Sequence, residues 1–308
     1  MADDTTGGIA DRLDPALRHL AAARTDLSAE TLPAVRAFLD QRRADGVAGI
    51  DTAGVDIEDV AAEGIPVRIY RGGTAGAVVY CHSGAFVLGN LDTDHLQCVE
   101  LARRAGVTVV SVDYRLAPEH PYPAGLDDAL AVLHWTAQNA NGWGIGADRV
   151  AVAGSSAGGA LAARLAQCAA NGTAPRIRFQ LLHQPVLDDG LTPSKQEFHD
   201  TPGFDGPAAE LMWRYYLAGT PPTAGSVPAR AADLSGLAPA FISCSELDPL
   251  RDEAVDYALR LMWAGVPTDL HVFAGTCHGF DSLLPDWEIS TRLFDMQGAA
   301  VRRALQLS

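Results

Sequence analysis

Residues 150–160 read Val-Ala-Val-Ala-Gly-Ser-Ser-Ala-Gly-Gly-Ala and decide the fold. An apolar, β-branched run stops at a Gly-x-Ser-x-Gly motif, and a helical pattern of small residues follows. This predicts a strand, a sharp turn and a helix, with Ser156 at the apex. A Cβ at Gly154 or Gly158 would clash in so tight a turn. The helix N-terminus and the free N–H of Ala157 then face any oxyanion that forms beside the serine. Packing alone can also produce this motif, so its function depends on the rest of the chain.

Strand and helix patterns alternate on both sides of this turn. The predicted strands lie within 55–72 and at 78–80, 107–112, 150–153, 179–182, 240–244 and 270–273, and the predicted helices at 93–105, 124–139 and 157–170. Alternation of this kind predicts an α/β fold, with a mostly parallel central sheet flanked by helices.

Two segments fall outside this alternation. Leu13, Leu17 and Leu20 have helical spacing, with Asp14 and Pro15 as a plausible start, so residues 9–45 are predicted to be helical. The stretch 187–235 is irregular and proline-rich, with one amphipathic helix at 208–217.

We therefore predict a single catalytic domain with a helical cap. The cap comprises 1–50 and the insertion 187–235, and the core comprises 51–186 and 236–308. A surface excursion without a catalytic part is the alternative for the insertion. Its aromatic side chains can line a pocket or pack the insertion onto the core: Phe204, Trp213, Tyr215 and Tyr216.

Composition and charge argue against several classes of function. The chain has 308 residues, 48% of them hydrophobic, and a formal net charge of −15. Such an acidic surface repels phosphate backbones, so nucleic-acid binding is not expected. No apolar run reaches the roughly 18 residues of a membrane span. The N-terminus lacks the pattern of a secretion signal, and the five cysteines form no Cys-x-x-Cys pair, so a reducing cytoplasm is expected.

A serine nucleophile requires a base and an orienting acid, which follow it in the order acid then histidine in this architecture. His278 comes just after the last predicted strand, and Asp248 comes directly after the strand 240–244. A loop histidine bonded to backbone and a helix N-cap are the alternatives for these two residues. Asp252 and Glu246 are weaker candidates for the acid.

The loop after strand 78–80 is the predicted oxyanion site, because its small residues let backbone N–H groups approach a substrate oxygen. We assign Gly84 and Ala85 as donors, together with Ala157. A metal site is not expected, because each Cys-His pair, at 81–82 and 277–278, is adjacent in sequence and cannot readily converge on one ion.

Several segments together resemble one family. Residues 82–85 (His-Ser-Gly-Ala) resemble an H-G-G-G oxyanion motif, and 113–124 (DYRLAPEHPYPA) match a D-Y-R-L-A-P-E-H-P-F-P-A block. Residues 154–159 resemble a G-D-S-A-G-G elbow, and 248–252 and 277–280 fit the acid and histidine segments. The chain resembles a hormone-sensitive-lipase-type (bacterial family IV) carboxylesterase of the α/β-hydrolase fold.

This resemblance implies hydrolysis of short- to medium-chain carboxylic esters through an acyl-enzyme, with a small-molecule ester as substrate and no cofactor. It implies that two copies can pair as a homodimer through the last strand and helix. It also implies that His82 and Ser83 support the oxyanion loop without reacting, and that the 114–123 block buttresses that loop. Ala117–Pro118 and Tyr122–Pro123 are candidate cis bonds.

Two residues depart from the family pattern. Ser83 and Ala85 replace glycines, and because alanine tolerates positive φ poorly, the φ of Ala85 is predicted to be negative if the loop keeps the family's shape. A non-hydrolytic small-molecule receptor and a dehydratase are alternatives on the same fold. The receptors of this fold have lost the histidine, so the presence of His278 favours an enzyme.

Overall fold

The computed structural model describes residues 8–306. Eight strands form one sheet in the spatial order β1-β2-β4-β3-β5-β6-β7-β8. The strands are β1 Asp56–Ala62, β2 Ile65–Arg71, β3 Ala77–Cys81, β4 Thr108–Val112, β5 Val150–Ser155, β6 Phe179–His183, β7 Ala240–Leu247 and β8 Thr268–Cys277. β2 pairs antiparallel with β1 and β4, and all the other pairs are parallel. The predicted mostly parallel sheet is confirmed.

Helices cover both faces of the sheet. Including those that lie elsewhere, the α-helices of the described residues are α1 Ile9–Arg12, α2 Leu32–Val47, α3 His95–Ala105, α4 Ala124–Asn139, α5 Ala157–Ala170, α6 Pro193–Glu197, α7 Gly206–Leu217, α8 Arg251–Trp263, α9 Phe280–Leu283 and α10 Glu288–Gln306. Every residue of β3, β4 and β6 is buried, as expected for parallel strands covered on both sides.

Alternate residues along the central strands enter two different apolar layers. Val79 of β3 packs in the layer that includes α4, α5 and α8, and Val78 packs in the layer that includes α3 and α10. The period of two residues therefore sets which helices cover which face. Among residues 8–306, no helix is both long and apolar enough to cross a membrane.

The predicted helices across 9–45 are only partly correct. Between α1 and α2 the chain forms a 3-10 turn, Arg18–Leu20, and otherwise irregular structure. The Asp14 carboxylate accepts from Ala16 N, and Asp14 N donates to the carbonyl of Gly275, so the backbone is bound to β8 here. Leu13 and Leu17 are buried in a small core under β8 from this irregular segment. Their spacing reflects that shared core and not a helix.

A buried ion pair fastens the segment 187–235 to the core. Lys195 Nζ lies 2.6 Å from Glu253 Oε2 on α8, and both side chains are buried. Lys195 also donates to the carbonyls of Asp188 and Gly190, and Leu187 N donates to Glu253. Burial raises the pKa of Glu253 to about 7, although Lys195 opposes that shift.

Lys195→Met tests this attachment. We expect the free energy of unfolding to fall by about 3 kcal/mol, the low end for a broken buried pair, since Glu253 can take up a proton. Urea denaturation at pH 8 measures the loss. Arg214→Met is the control, because the Arg214–Glu210 pair is exposed and is worth at most about 1 kcal/mol. Equal losses in the two variants would contradict the attachment.

Candidate active site

Ser156 lies at the turn between β5 and α5 in a strained conformation, with φ 54° and ψ −118°. The turn leaves no room for side chains at its glycines. A Cβ on Gly158 would lie 1.9 Å from the carbonyl oxygen of Cys81, and one on Gly154 would lie 2.2 Å from that of Gly158. Close backbone packing therefore accounts for both glycines of the motif.

The three residues expected to form a catalytic triad meet at this turn. His278 Nε2 lies 3.0 Å from Ser156 Oγ, and His278 Nδ1 lies 2.8 Å from Asp248 Oδ2. The other Asp248 oxygen accepts from Leu250 N at 2.8 Å. Because an ionised carboxylate can only accept, Nδ1 carries the hydrogen and Nε2 is left to accept the serine hydroxyl.

Opposing effects set the protonation of His278. Burial disfavours the imidazolium, but the charge of Asp248 and its hydrogen bond favour it, and together they leave the pKa of His278 above its ordinary value of 6.5. The site is therefore arranged to stabilise a positive charge on this ring.

The two rival acids are engaged elsewhere. Glu246 accepts from Gly275 N at 2.8 Å. Asp252 lies in the first turn of α8 and accepts from Ser194 N and from Arg251 Nε, both at 2.8 Å. Among the described residues, neither carboxylate has a contact with His278. Of the three carboxylates, Asp248 is the one that contacts His278.

The loop after β3 has three successive residues with positive φ: Gly84 (131°), Ala85 (54°) and Phe86 (59°). The predicted negative φ of Ala85 is wrong. Val87 N and Leu88 N both donate to the Gly84 carbonyl, and Ala85 and Phe86 lie within the tight turn that these bonds close. Within residues 8–306, the N–H groups of Gly84, Ala85 and Ala157 have no hydrogen-bond acceptor.

Asp94 holds this loop and was not found from the sequence. Its Oδ2 accepts from Ser83 N at 2.8 Å and from Tyr80 OH at 3.2 Å, and its Oδ1 accepts from Ser83 Oγ at 2.9 Å. Asp94 precedes α3, where an aspartate suggests a helix N-cap, but its side chain makes no capping bond. Only the fold shows that it turns toward the oxyanion loop.

His82 is buried behind the loop. Its ring stacks on Tyr114 with centroids 4.2 Å apart, and Nδ1 lies 2.7 Å from the carbonyl of Ser83. Tyr114 OH donates to the carbonyl of His82 at 2.7 Å. Burial lowers the pKa of His82 to about 4, so the ring is neutral near pH 7.

The bonds Ala117–Pro118 and Tyr122–Pro123 are both cis, as the family resemblance implies.

A cavity of about 340 Å³ opens on Ser156 and His278. The oxyanion loop lines it from the core side, and Thr25, Leu39, Arg42 and Arg43 line it from the N-terminal segment. Phe204 of the segment 187–235 also lines the cavity, and its ring packs against that of His278 with the ring centroids 4.9 Å apart. Residues of the N-terminal segment and of the segment 187–235 thus line the same cavity as Ser156.

The other three aromatics of that segment pack it onto its neighbours. Trp213 and Tyr216 contact Phe86, with the Tyr216 ring stacked at 3.9 Å. Tyr215 OH donates to the carbonyl of Leu27 at 3.0 Å. Of the two roles that the sequence left open, pocket lining applies to Phe204 and packing to the rest.

No cluster of three or more potential metal ligands occurs within residues 8–306. Cys81 and Cys277 are buried, and burial raises the pKa of each thiol to about 12. Neither thiol is therefore ionised near neutral pH.

Comparison with known proteins places the chain among esterases. A family model described as the alpha/beta hydrolase fold matches residues 78–282. Esterase LipI of Mycobacterium tuberculosis is 42% identical over 238 residues, 73% of this chain and 74% of that protein. An ethyl acetate hydrolase of Pseudomonas putida is 40% identical over 229 residues, 70% of this chain and 71% of that protein. The crystal structure of esterase LipW from Mycobacterium marinum is 57% identical with a TM-score of 0.93 and covers 96% of both chains.

The fold and these similarities define a carboxylic ester hydrolase that uses a serine. The chain belongs to the hormone-sensitive-lipase-type (bacterial family IV) branch of the α/β-hydrolase fold.

Gly84→Ala and Ala85→Gly test the oxyanion loop. A Cβ on Gly84 would lie 2.1 Å from the carbonyl oxygen of Leu88, so we expect the loop to shift and ester turnover to fall about 100-fold or more. Ala85→Gly relieves a positive φ and is expected to raise the free energy of unfolding by up to about 1 kcal/mol with turnover retained. Turnover of p-nitrophenyl acetate and urea denaturation measure both effects. A fully active Gly84→Ala enzyme would contradict the geometry.

Proposed function

We propose that Ser156 is the nucleophile, His278 the general base and Asp248 the orienting acid of this carboxylesterase. The observation that carries the proposal is the unbroken chain from Ser156 Oγ through both nitrogens of His278 to the buried carboxylate of Asp248. We also propose that the N–H groups of Gly84, Ala85 and Ala157 bind the oxyanion, since they lie at the turn of the serine and in the loop that lines its cavity.

In the first half-reaction, His278 Nε2 takes the proton of Ser156 as Oγ attacks the ester carbonyl carbon. The carbonyl oxygen gains the negative charge and accepts from the three N–H groups. The tetrahedral intermediate then collapses, the bond to the alkoxy oxygen breaks, and His278 gives its proton to the leaving alcohol. Asp248 holds the Nδ1–H tautomer and stabilises the imidazolium throughout.

The second half-reaction repeats these roles with water. His278 Nε2 takes a proton from a water molecule, whose oxygen attacks the acyl carbon of the Ser156 ester. Collapse of this second intermediate breaks the bond to Oγ, which regains its proton from His278. The carboxylic acid product leaves, and the site returns to its starting protonation.

We propose short- to medium-chain esters as substrates. The cavity of about 340 Å³ lies at the small end of the range of roughly 300–1,000 Å³ that is usual for ligand pockets. The ring of Phe204 lies against His278 and limits the space beside the reacting atoms. The related enzyme of Pseudomonas putida is named for ethyl acetate, a short ester.

Residues 8–50 and 187–235 are proposed to act as a cap, with 51–186 and 236–306 as the catalytic core; residues 1–7 of the predicted cap and 307–308 of the predicted core lie outside the described residues. The support is that Leu39 and Phe204, one from each segment, line the same cavity. The hydrogen bond between His278 and Ser156 favours hydrolysis over the receptor alternative, since a receptor has no need of it. The relatives named as an esterase and an ethyl acetate hydrolase favour hydrolysis over the dehydratase alternative.

A cytoplasmic location and a homodimer are further proposals. All five cysteines are unpaired and buried, which fits a reducing compartment. Among the described residues, the last strand, β8, pairs with β7 alone, so it forms an edge of the sheet. Val272 on β8 and Trp263 at the end of α8 are exposed apolar side chains that a second copy can cover.

Ser156→Ala tests the nucleophile. We expect ester turnover to fall by about 10⁴-fold or more, covalent labelling by a fluorophosphonate to disappear, and the free energy of unfolding to change by less than about 1 kcal/mol. Ser155→Ala is the matched control, because it removes the neighbouring hydroxyl and should leave labelling intact. Near-normal turnover in Ser156→Ala would refute the assignment.

The pH profile tests the pair His278 and Asp248. The neutral ring is the base, so kcat/KM falls as pH drops through the pKa of His278, and we expect that midpoint above 6.5. Asp248→Asn removes the charge that raises this pKa, so the midpoint should move to lower pH while kcat falls about 10⁴-fold.

Asp252→Asn is the control for this profile, since Asp252 has partners on α6 and α8 and should leave the midpoint unchanged. The rate of fluorophosphonate labelling against pH follows the same limb where ester turnover is too slow to measure. An unchanged midpoint in Asp248→Asn, or a shifted one in Asp252→Asn, would contradict the roles given to the two carboxylates.

A further inference from the structure

A chain of buried polar side chains reaches the wall of the active-site cavity at Asp281. Ser243 Oγ lies 2.8 Å from His183 Nδ1, and His183 Nε2 lies 3.2 Å from Asp281 Oδ1. Gln97 Nε2 donates to the other Asp281 oxygen at 3.0 Å. All four residues are buried, and none of them has a role in the mechanism above.

Gln184 joins this chain to the loop that carries His278. Its Oε1 accepts from Gly279 N at 2.7 Å, and its Nε2 lies beside His183 Nε2 and 3.4 Å from Asp281 Oδ1. Ser245 Oγ also lies 3.4 Å from Oε1. Gly279 directly follows His278, so this bond holds the backbone at the C-terminal side of the base, while Asp248 holds its ring.

The backbone of Gln184 is strained. Its φ is 45°, in the left-handed region that non-glycine residues rarely occupy. Gln184 N donates to the carbonyl of Ser243 at 2.6 Å, and the side chain is 1% exposed. Strain of this kind persists only where the surroundings fix it, and it is concentrated at functional sites.

We propose that Gln184 is a positioning residue for His278 and that the Ser243–His183–Asp281–Gln97 chain keeps it in place. The inference rests on the proposed role of His278 as base. By fixing Gly279 N, Gln184 keeps the imidazole within hydrogen-bond reach of Ser156 and Asp248. Displacement of a reacting group by about 1 Å can lower a rate about 100-fold.

The primary amide suits this position. Oε1 must accept from Gly279 N, while Nε2 of the same amide must donate toward Asp281 Oδ1. A glutamate would only accept and would place a second negative charge beside Asp281. A methionine of similar length would offer neither strong group.

Two substitutions separate the hydrogen bond from the packing. Gln184→Met removes the acceptor for Gly279 N with little change in volume. Gln184→Asn keeps the amide on a side chain one methylene shorter, which leaves Gly279 N out of reach, and asparagine adopts the left-handed conformation readily. If the methionine variant does not fold, the asparagine variant still carries the test.

We expect both variants to lose about 10- to 100-fold in kcat for p-nitrophenyl acetate, with KM within about twofold of the wild-type value. The rate of fluorophosphonate labelling of Ser156 should fall in parallel. Gln180→Met is the matched control, because Gln180 is a buried glutamine at the other end of β6, bonded to the carbonyl of Ala238. It should lose stability and keep kcat.

The inference is overturned if the folded Gln184 variants keep kcat within about threefold of wild type, which is far short of the loss expected for a displaced base. An equal loss of kcat in Gln180→Met would also overturn it, since the effect would then be one of general packing. Ser156→Ala, assayed alongside, keeps the two proposals apart: residual turnover there would refute the proposed function itself.

Discussion

The active site depends on one close backbone contact between the start of α5 and the end of β3. At Gly158 there is no space for a side chain, because the carbonyl oxygens of Cys81 and His82 lie 1.9 and 2.5 Å from where its Cβ would be. In the sheet, Cys81 pairs with Gly154, so both strands end at the same edge. Close backbone packing at Gly158 therefore places the serine turn beside the loop after β3, without the need for a polar side chain.

The parallel sheet brings the other two groups to the same edge. Leu247 at the end of β7 pairs with Cys277 at the end of β8, after an irregularity in the register. The next residues, Asp248 and His278, thus leave the sheet side by side. Sites at the carboxyl ends of parallel strands are the rule in open α/β sheets. In this protein, the parallel pairing of β7 with β8 lets Asp248 and His278, which are 30 positions apart, meet without a long loop on either side.

Features that depend on local sequence patterns could be predicted. They are the central strands, the glycines of the serine turn, and the positions of Ser156, Asp248 and His278 just after strands. A buried strand is apolar throughout, and a residue just after such a strand lies at the sheet edge. The φ of Ala85 could not be predicted, because hydrogen bonds from Val87 and Leu88 override the preference of alanine. The irregular path between α1 and α2 depends on a contact with Gly275, far away in sequence.

Asp94 and Gln184 could not be found for a related reason. Each stands at a position where sequence patterns have an ordinary explanation, the first as a helix cap and the second as part of the exit from β6. Their partners, Ser83 and Gly279, are 11 and 95 positions away. Only the folded chain brings Asp94 to Ser83 and Gln184 to Gly279, and a short sequence motif does not show contacts between distant residues.

Strain is concentrated where these contacts meet. Among residues 8–306, six non-glycine residues have positive φ, and four of them lie at the site: Ala85, Phe86, Ser156 and Gln184. Each such residue costs on the order of 1–3 kcal/mol, so the surrounding structure must hold it in place. The strained backbone is held by hydrogen bonds: Ser83 N to Asp94, Val87 N and Leu88 N to the Gly84 carbonyl, and Gly279 N to Gln184. In the proposed mechanism, a backbone fixed in this way does not relax when charge develops on the substrate oxygen, so its N–H groups need little reorganisation at the moment of reaction. The same rigidity that makes the site costly to fold suits it to the oxyanion binding proposed for it.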